Sequence, residues 1–211
     1  MANGAYCQTK NSWDGRRYAI MKSQDYKDAV AKGILFHEQN TTWNGSDSKY
    51  YIKQLSKITA HHDASTILDY GCGKGLQYGE QYNFLKRAGL KSAWKYDPCV
   101  PKYDILPPPS QQFDGLICIQ VIRHIPDKDL RWVKELFEQS ATKFVLIADM
   151  DPAMPRKTKK ILNNDCQHRD NAFYKEVFKD WDSTAELYFY WGKPSTEEAR
   201  NDNKKVMELT L

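Results

Sequence analysis

One short segment, residues 66–75, most constrains the fold of this chain. An apolar run at residues 66–68 leads into residues 69–75, whose sequence is DYGCGKG, so glycines stand at alternate positions after a short strand. Such glycines permit φ > 0 and close approach of a ligand to the backbone, and N–H groups at the start of a following helix favour an anionic group. The segment therefore predicts an α/β fold with a nucleotide site at this turn.

Asp69, immediately before the glycines, narrows the kind of ligand. A fixed carboxylate repels a pyrophosphate and attracts an ammonium or a sulfonium. The dinucleotide fingerprint also requires a glycine where this chain has Leu76. A tight strand-to-helix turn could also need glycines for backbone reasons alone. As a ligand site, the turn favours a cationic, phosphate-free nucleoside over NAD, and S-adenosylmethionine fits this description.

The segment resembles the first motif of the class I S-adenosylmethionine-dependent methyltransferases, an apolar strand followed by acidic-x-Gly-x-Gly-x-Gly. The resemblance implies an α/β fold: a Rossmann-like, mostly parallel sheet with helices on both faces, a C-terminal antiparallel hairpin and S-adenosylmethionine as cofactor. It also implies that Asp69 engages the methionyl ammonium, directly or through water. Gly71, Gly73 and Gly75 are expected to shape the turn.

The apolar pattern predicts a single methyltransferase domain over residues 48–211, preceded by a polar cap or lid at residues 1–47. Predicted strands lie at residues 66–69, 92–97, 113–119 and 143–149, and predicted helices at about 48–61, 76–88 and 127–140. The connection between the second and third of these strands is too short for a helix and a strand. The third strand unit of the family fold is therefore predicted to be shortened or missing.

The C-terminal part predicts a hairpin. Residues 185–191 and 206–211 are rich in aromatic and β-branched residues, and no helical pattern separates them. Such runs pair as antiparallel strands, and the class I methyltransferase sheet ends in a hairpin of this kind.

Four further residues complete the predicted cofactor site. Asp97 lies 22 residues after Gly75 and closes the second strand, where a carboxylate can accept from both ribose hydroxyls; alternatively, Asp97 and the following Pro98 form a turn that ends the strand. Asp104 resembles the family's next acidic position, which accepts from the adenine amino group, or is an ordinary loop carboxylate. Gln120 is expected to face the methionine part of the cofactor or to cap its strand.

The acceptor side is less defined by sequence. His168 is the candidate substrate-binding residue, because histidine accepts protons near neutral pH; the alternative is a hydrogen-bonded loop histidine. The basic run at residues 156–160 could steer a phosphate-bearing acceptor or form a solvated helix face. No catalytic base is assigned, because a sulfonium is an activated donor and alignment supplies much of the catalysis. The five cysteines lack a C-x-x-C pair, and no metal site is expected.

Composition limits the partners. No stretch approaches the roughly 20 apolar residues needed to cross a bilayer, so we expect a cytoplasmic protein without a membrane partner. The formal charge of +4 neither requires nor excludes nucleic acid. We expect methyl transfer to an N, O or S atom of a small molecule, and the compact connection after the second strand resembles small bacterial and phage-encoded methyltransferases of unassigned acceptor. The alternatives are an RNA or DNA methyltransferase using aromatics such as Trp13 and Trp43, and a non-catalytic cofactor-binding module.

Overall fold

The computed structural model describes residues 21–41, 47–148, 169, 171–179, 182–183 and 188–192. Its strands are β1 (Thr66–Tyr70), β2 (Ser92–Tyr96), β3 (Phe113–Ile119), β4 (Ala141–Ala148), β5 (Asp182–Ser183) and β6 (Tyr188–Gly192). Its α-helices are α1 (Gln24–Gln39), α2 (Ile52–His61), α3 (Phe84–Arg87), α4 (Leu130–Ser140) and α5 (Asn171–Val177). None of the described helices has the length and apolar character needed to span a lipid bilayer.

The described strands form one sheet in the order β2-β1-β3-β4-β6-β5. The first four strands are parallel, and β6 runs antiparallel to both β4 and β5. The chain passes from β1 to β2 on one side and then returns to β3 on the other, so the strand order reverses at β1. In open α/β sheets, ligands bind at the carboxyl ends of the strands at such a reversal.

The connection from β2 to β3 contains no strand, as predicted. Residues 97–112 are all described, and their regular structure is a single 3-10 turn at Pro101–Tyr103. The third strand unit is therefore missing, and β2 forms one edge of the described sheet. The predicted C-terminal hairpin stays a prediction, because residues 206–211 lie outside the described residues.

Helices cover both faces of the sheet, which confirms the Rossmann-like prediction. Leu68 and Tyr70 of β1 belong to a buried cluster that includes side chains of α1, α4 and α5. Ile67 belongs to a second cluster, on the opposite face, with side chains of α2 and α3. Successive residues of a strand point to opposite faces, so β1 contributes to both cores and its carboxyl end is fixed from both sides.

Two regions differ from the expected helices. Residues 76–88 do not form one continuous helix: a 3-10 turn at Leu76–Tyr78 is separated from α3 by Gly79 in extended geometry (φ −67°, ψ 154°) and Asn83 in the left-handed region (φ 50°). The N-terminal segment is also more regular than its sequence indicates. Within this segment, α1 runs for 16 residues, is capped at its N-terminus by Ser23 and buries Tyr26 against the core.

Candidate functional site

The glycine turn connects the end of β1 to the 3-10 turn at Leu76–Tyr78. Gly71, Gly73 and Gly75 all have left-handed φ angles, 82°, 57° and 68°. A Cβ atom on Gly71 would lie 2.2 Å from Cγ2 of Val121, and one on Gly75 would lie 2.7 Å from the hydroxyl of Tyr103. Both the backbone conformation and the close neighbours therefore require glycine at these positions.

Asp97 joins the end of β2 to the glycine turn. Its Oδ2 accepts from the backbone N–H of Gly73 at 2.8 Å, and its Oδ1 accepts from the N–H of Cys99 at 2.8 Å. Burial raises the pKa of the Asp97 carboxyl, and the two N–H donors and the nearby His37 oppose that rise. Each carboxylate oxygen has a further lone pair, so Asp97 can accept from a diol while holding the turn.

Asp69 lies beneath the same turn and is 1% exposed. Its Oδ2 accepts from the hydroxyl of Tyr78 at 2.7 Å and from Nε2 of Gln77 at 3.0 Å. Burial raises the pKa of the Asp69 carboxyl to about 6, against the effect of these two donors. Asp69 also neighbours Lys95 across the β1–β2 pairing, and the charge of Lys95 lowers the carboxyl pKa. Two buried carboxylates, Asp69 and Asp97, thus flank the glycines.

Gln120, directly after β3, adopts a strained conformation. Its φ of 61° is uncommon for a residue other than glycine and costs on the order of 1–3 kcal/mol. The side chain holds the residue in place, since Nε2 donates to the hydroxyl of Tyr51 at 3.0 Å and Oε1 accepts from Nη2 of Arg123. Strained residues cluster at functional sites, and this one lies at the carboxyl edge of the sheet.

The remaining predicted positions divide into two groups. Pro98 is half-buried in the turn after β2, and Asp104 is exposed after the 3-10 turn at Pro101–Tyr103. The charge of Asp104 raises the pKa of Asp97, which indicates that the two carboxylates are near each other. The structure therefore gathers the predicted cofactor residues at the carboxyl ends of β1, β2 and β3. His168, the basic run at residues 156–160 and Trp13 and Trp43 lie outside the described residues.

Several residues at this edge are not identified by the sequence pattern. The side chains of Gln77 and Tyr78 donate hydrogen bonds to Asp69. Tyr103 packs against Gly75, and Lys74 donates to a carbonyl oxygen at the end of α1. Only their position in the sequence could have identified these residues: Lys74 lies between two glycines of the turn, and Gln77 and Tyr78 come shortly after its last glycine. Among the described residues, no group of three or more His, Cys, Asp or Glu side chains could hold a metal ion.

The fold as a whole is similar to that of a methyltransferase of known structure. The plantazolicin methyltransferase BpumL, solved in complex with SAH (S-adenosylhomocysteine), aligns with a TM-score of 0.50 at 11% sequence identity. The alignment covers 92% of this chain and 95% of BpumL. This chain has the class I S-adenosylmethionine-dependent methyltransferase fold.

Other matches to the class I methyltransferase fold are weaker. An O-methyltransferase family protein from Burkholderia thailandensis is 12% identical, with 83% of this chain and 74% of that one covered and a TM-score of 0.47. A SAM-dependent methyltransferase from Archaeoglobus fulgidus is 15% identical, with 83% and 91% covered and a TM-score of 0.43. No protein-family model matches the chain, and no curated protein matches its sequence. The class I methyltransferase assignment thus concerns the fold.

Proposed function

We propose that this protein transfers a methyl group from S-adenosylmethionine to an N, O or S atom of a small-molecule acceptor. The observation that carries this proposal is the pair of buried carboxylates, Asp69 and Asp97, on either side of a turn made of left-handed glycines. Glycines let a ligand approach the backbone closely, and the charge of the neighbouring carboxylates favours a cationic group there.

The charge of a carboxylate at this site favours a cationic ligand over an anionic one. At an effective dielectric constant of about 20, a unit charge about 6 Å from a carboxylate interacts with it by roughly 3 kcal/mol. This interaction opposes a pyrophosphate and favours the ammonium and sulfonium of S-adenosylmethionine. Because Oδ2 of Asp69 is already engaged by Tyr78 and Gln77, we propose that Asp69 acts on the ammonium through its charge or through water.

Each predicted residue has a role in this proposal. Asp97 accepts from the ribose hydroxyls next to Pro98, and Asp104 accepts from the adenine amino group. Gln120 lies on the methionine side, and His168 is proposed to contact the acceptor. When bound, the sulfonium supplies an activated methyl donor, so the protein has to align the acceptor and exclude water.

A small molecule is the proposed acceptor because the formal charge of +4 gives little general attraction for a polyanion. Salt-sensitive binding of RNA or DNA would instead favour the nucleic-acid alternative. The acceptor class can be measured by incubating the protein with radiolabelled S-adenosylmethionine and fractionated lysate. Label in a small-molecule fraction supports the proposal, and label in nucleic acid supports the alternative.

Binding can be tested on Asp97. Asp97→Ala removes the acceptor for the ribose hydroxyls, so calorimetry should show S-adenosylhomocysteine binding weakened by about 2–3 kcal/mol, or roughly 30- to 150-fold. The matched control is Glu135→Ala on α4, which removes a carboxylate that pairs with Arg131. The control should bind like the unmodified protein.

Two results would contradict the proposal in different ways. Equal affinities of Asp97→Ala and the unmodified protein would remove Asp97 from the site. Cofactor binding without label transfer to any fraction would leave a non-catalytic binding module and end the claim of catalysis.

A further inference from the structure

The two ends of α1 are fixed by residues from other parts of the chain, and one of these residues, Lys74, belongs to the glycine turn. At the first end, Ser23 donates through its backbone N–H to Oδ1 of Asp129 at 3.0 Å and through its hydroxyl to Oδ2. At the second end, Nζ of Lys74 donates to the carbonyl oxygens of Asn40 and Thr41, at 2.8 and 3.4 Å. A helix of 16 residues is about 24 Å long, so α1 bridges these two anchor points.

Lys74 belongs to the glycine turn itself. The last carbonyl groups of a helix lack intrahelical partners and carry partial negative charge, so an ammonium that donates to this end stabilises it. The end of α1 is also capped locally, because the N–H and the side-chain amide of Asn40 both donate to the carbonyl of Phe36. Lys74 adds a contact from another part of the chain, and it ties the position of α1 to the turn.

The middle of α1 packs on the loop that follows β2. A Cβ atom on Gly33 would lie 2.4 Å from Sγ of Cys99, so the absence of a side chain permits this close contact. In the last turn, burial lowers the pKa of His37, the charge of Asp97 opposes this, and the charge of Lys74 adds to it. These effects indicate that α1 lies over the side of the site where Asp97 and Cys99 meet.

We propose that Lys74 is a positioning residue for cofactor exchange: its ammonium holds the end of α1 against the glycine turn and so closes the helix over the ribose subsite. This inference rests on the proposed function, which places the ribose at Asp97. Since a closed helix hinders both entry and departure of the nucleoside, the contact with Lys74 must open before the cofactor exchanges. Losing the contact should therefore accelerate both steps.

The test compares Lys74→Met, which keeps a long side chain without its charge, with Lys74→Arg, which keeps a donor. Association and dissociation rates of S-adenosylhomocysteine are measured by surface plasmon resonance on the full chain. Lys74→Met should raise the dissociation rate at least tenfold and the association rate several-fold, and Lys74→Arg should restore most of the unmodified behaviour. Lys128→Met is the control, because it removes an exposed ion pair with Asp25 at the other end of α1 and should change neither rate.

Amide hydrogen exchange gives a second measurement on the free protein. Lys74→Met should accelerate exchange in residues 36–41 at least tenfold, and Lys128→Met should not. Faster exchange with unchanged S-adenosylhomocysteine rates would show that Lys74 merely supports the helix and would overturn the inference. Unchanged exchange in Lys74→Met would also overturn it.

Gly33→Ala supplies an independent perturbation from the middle of α1. The added methyl group must displace Cys99 or lift the helix, so dissociation should accelerate with Lys74 intact. The double variant Gly33→Ala with Cys99→Ala removes the clashing sulfur and should return the rate toward that of Cys99→Ala alone. If the unmodified protein fails to bind S-adenosylhomocysteine, the proposed function fails; if it binds and the variants leave its rates unchanged, only this inference fails.

Discussion

The buried carboxylate of Asp69 makes the protein's stability depend on pH in an unusual direction. Burial raises its pKa from the ordinary 3.8 to about 6, although Tyr78 and Gln77 donate to it. A carboxyl whose pKa is higher in the folded state contributes stability fully below its unfolded pKa and loses it as pH rises through the folded value. The rise from 3.8 to about 6 corresponds to roughly 3 kcal/mol lost at neutral pH.

The perturbation that isolates this effect is Asp69→Asn. The amide oxygen can still accept from Tyr78 and Gln77, and the side chain no longer ionises. Between about pH 4.5 and about pH 8, the unmodified protein should lose roughly 2 kcal/mol of unfolding free energy relative to the variant. Urea unfolding of both proteins at the two pH values measures this, and the comparison cancels the other titrating groups.

Two results would contradict a raised pKa for the Asp69 carboxyl. If the difference between the proteins is the same at both pH values, the Asp69 pKa is not raised by the fold. If the unmodified protein gains relative to the variant as pH rises, the carboxyl pKa is lowered and the charge is stabilised. At about pH 8, Asp69→Asn should also bind S-adenosylhomocysteine roughly tenfold more weakly. The substitution removes a carboxylate charge whose attraction for the ligand's ammonium is worth about 1–3 kcal/mol.

Three further substitutions test other parts of the structure by urea unfolding. Gly71→Ala should cost about 2–4 kcal/mol, because its φ is 82° and the methyl group would meet Val121; a cost below about 0.5 kcal/mol would contradict the turn geometry. Asp129→Ala leaves three donors without their acceptor and should cost about 3–5 kcal/mol, and a neutral effect would contradict the anchoring of α1. Burial alone would raise the pKa of the Asp114 carboxyl, but the N–H groups of Ser65 and Thr66 and the ammonium of Lys143 lower it to about 2. Asp114→Asn should therefore flatten the loss of stability as pH falls from about 4 to about 2, and an unchanged acid limb would contradict this.

The sequence is most informative where one pattern determines local structure. The glycines at alternate positions require left-handed φ angles, and all three have them. The short link after β2 rules out a helix and a strand, and the structure has neither there beyond a 3-10 turn. The parallel strands β1 and β2 end at the same edge of the sheet. Gly73 and Asp97, which follow these strands, are therefore close enough for the N–H of Gly73 to donate a hydrogen bond to Asp97.

The elements that sequence does not reveal depend on distant contacts. Among its 16 residues, α1 has one fully buried side chain, Tyr26, and Val30 packs half-buried against the same core, so its apolar face is small. Its two ends are also held by polar contacts to Asp129 and Lys74, which are far along the chain. The expected helix at residues 76–88 is interrupted because Gly79 and Asn83 adopt non-helical angles that the apolar periodicity does not report.

A calorimetric titration with S-adenosylhomocysteine and with NAD, side by side, measures which ligand charge the site accepts. Both ligands contain adenosine, but S-adenosylhomocysteine carries an ammonium within a zwitterionic amino acid, whereas NAD carries a pyrophosphate. The carboxylate of Asp69 predicts binding of S-adenosylhomocysteine in the micromolar range and no binding of NAD at about 1 mM, a difference of at least about 4 kcal/mol. Equal or tighter binding of NAD would contradict the account of this site.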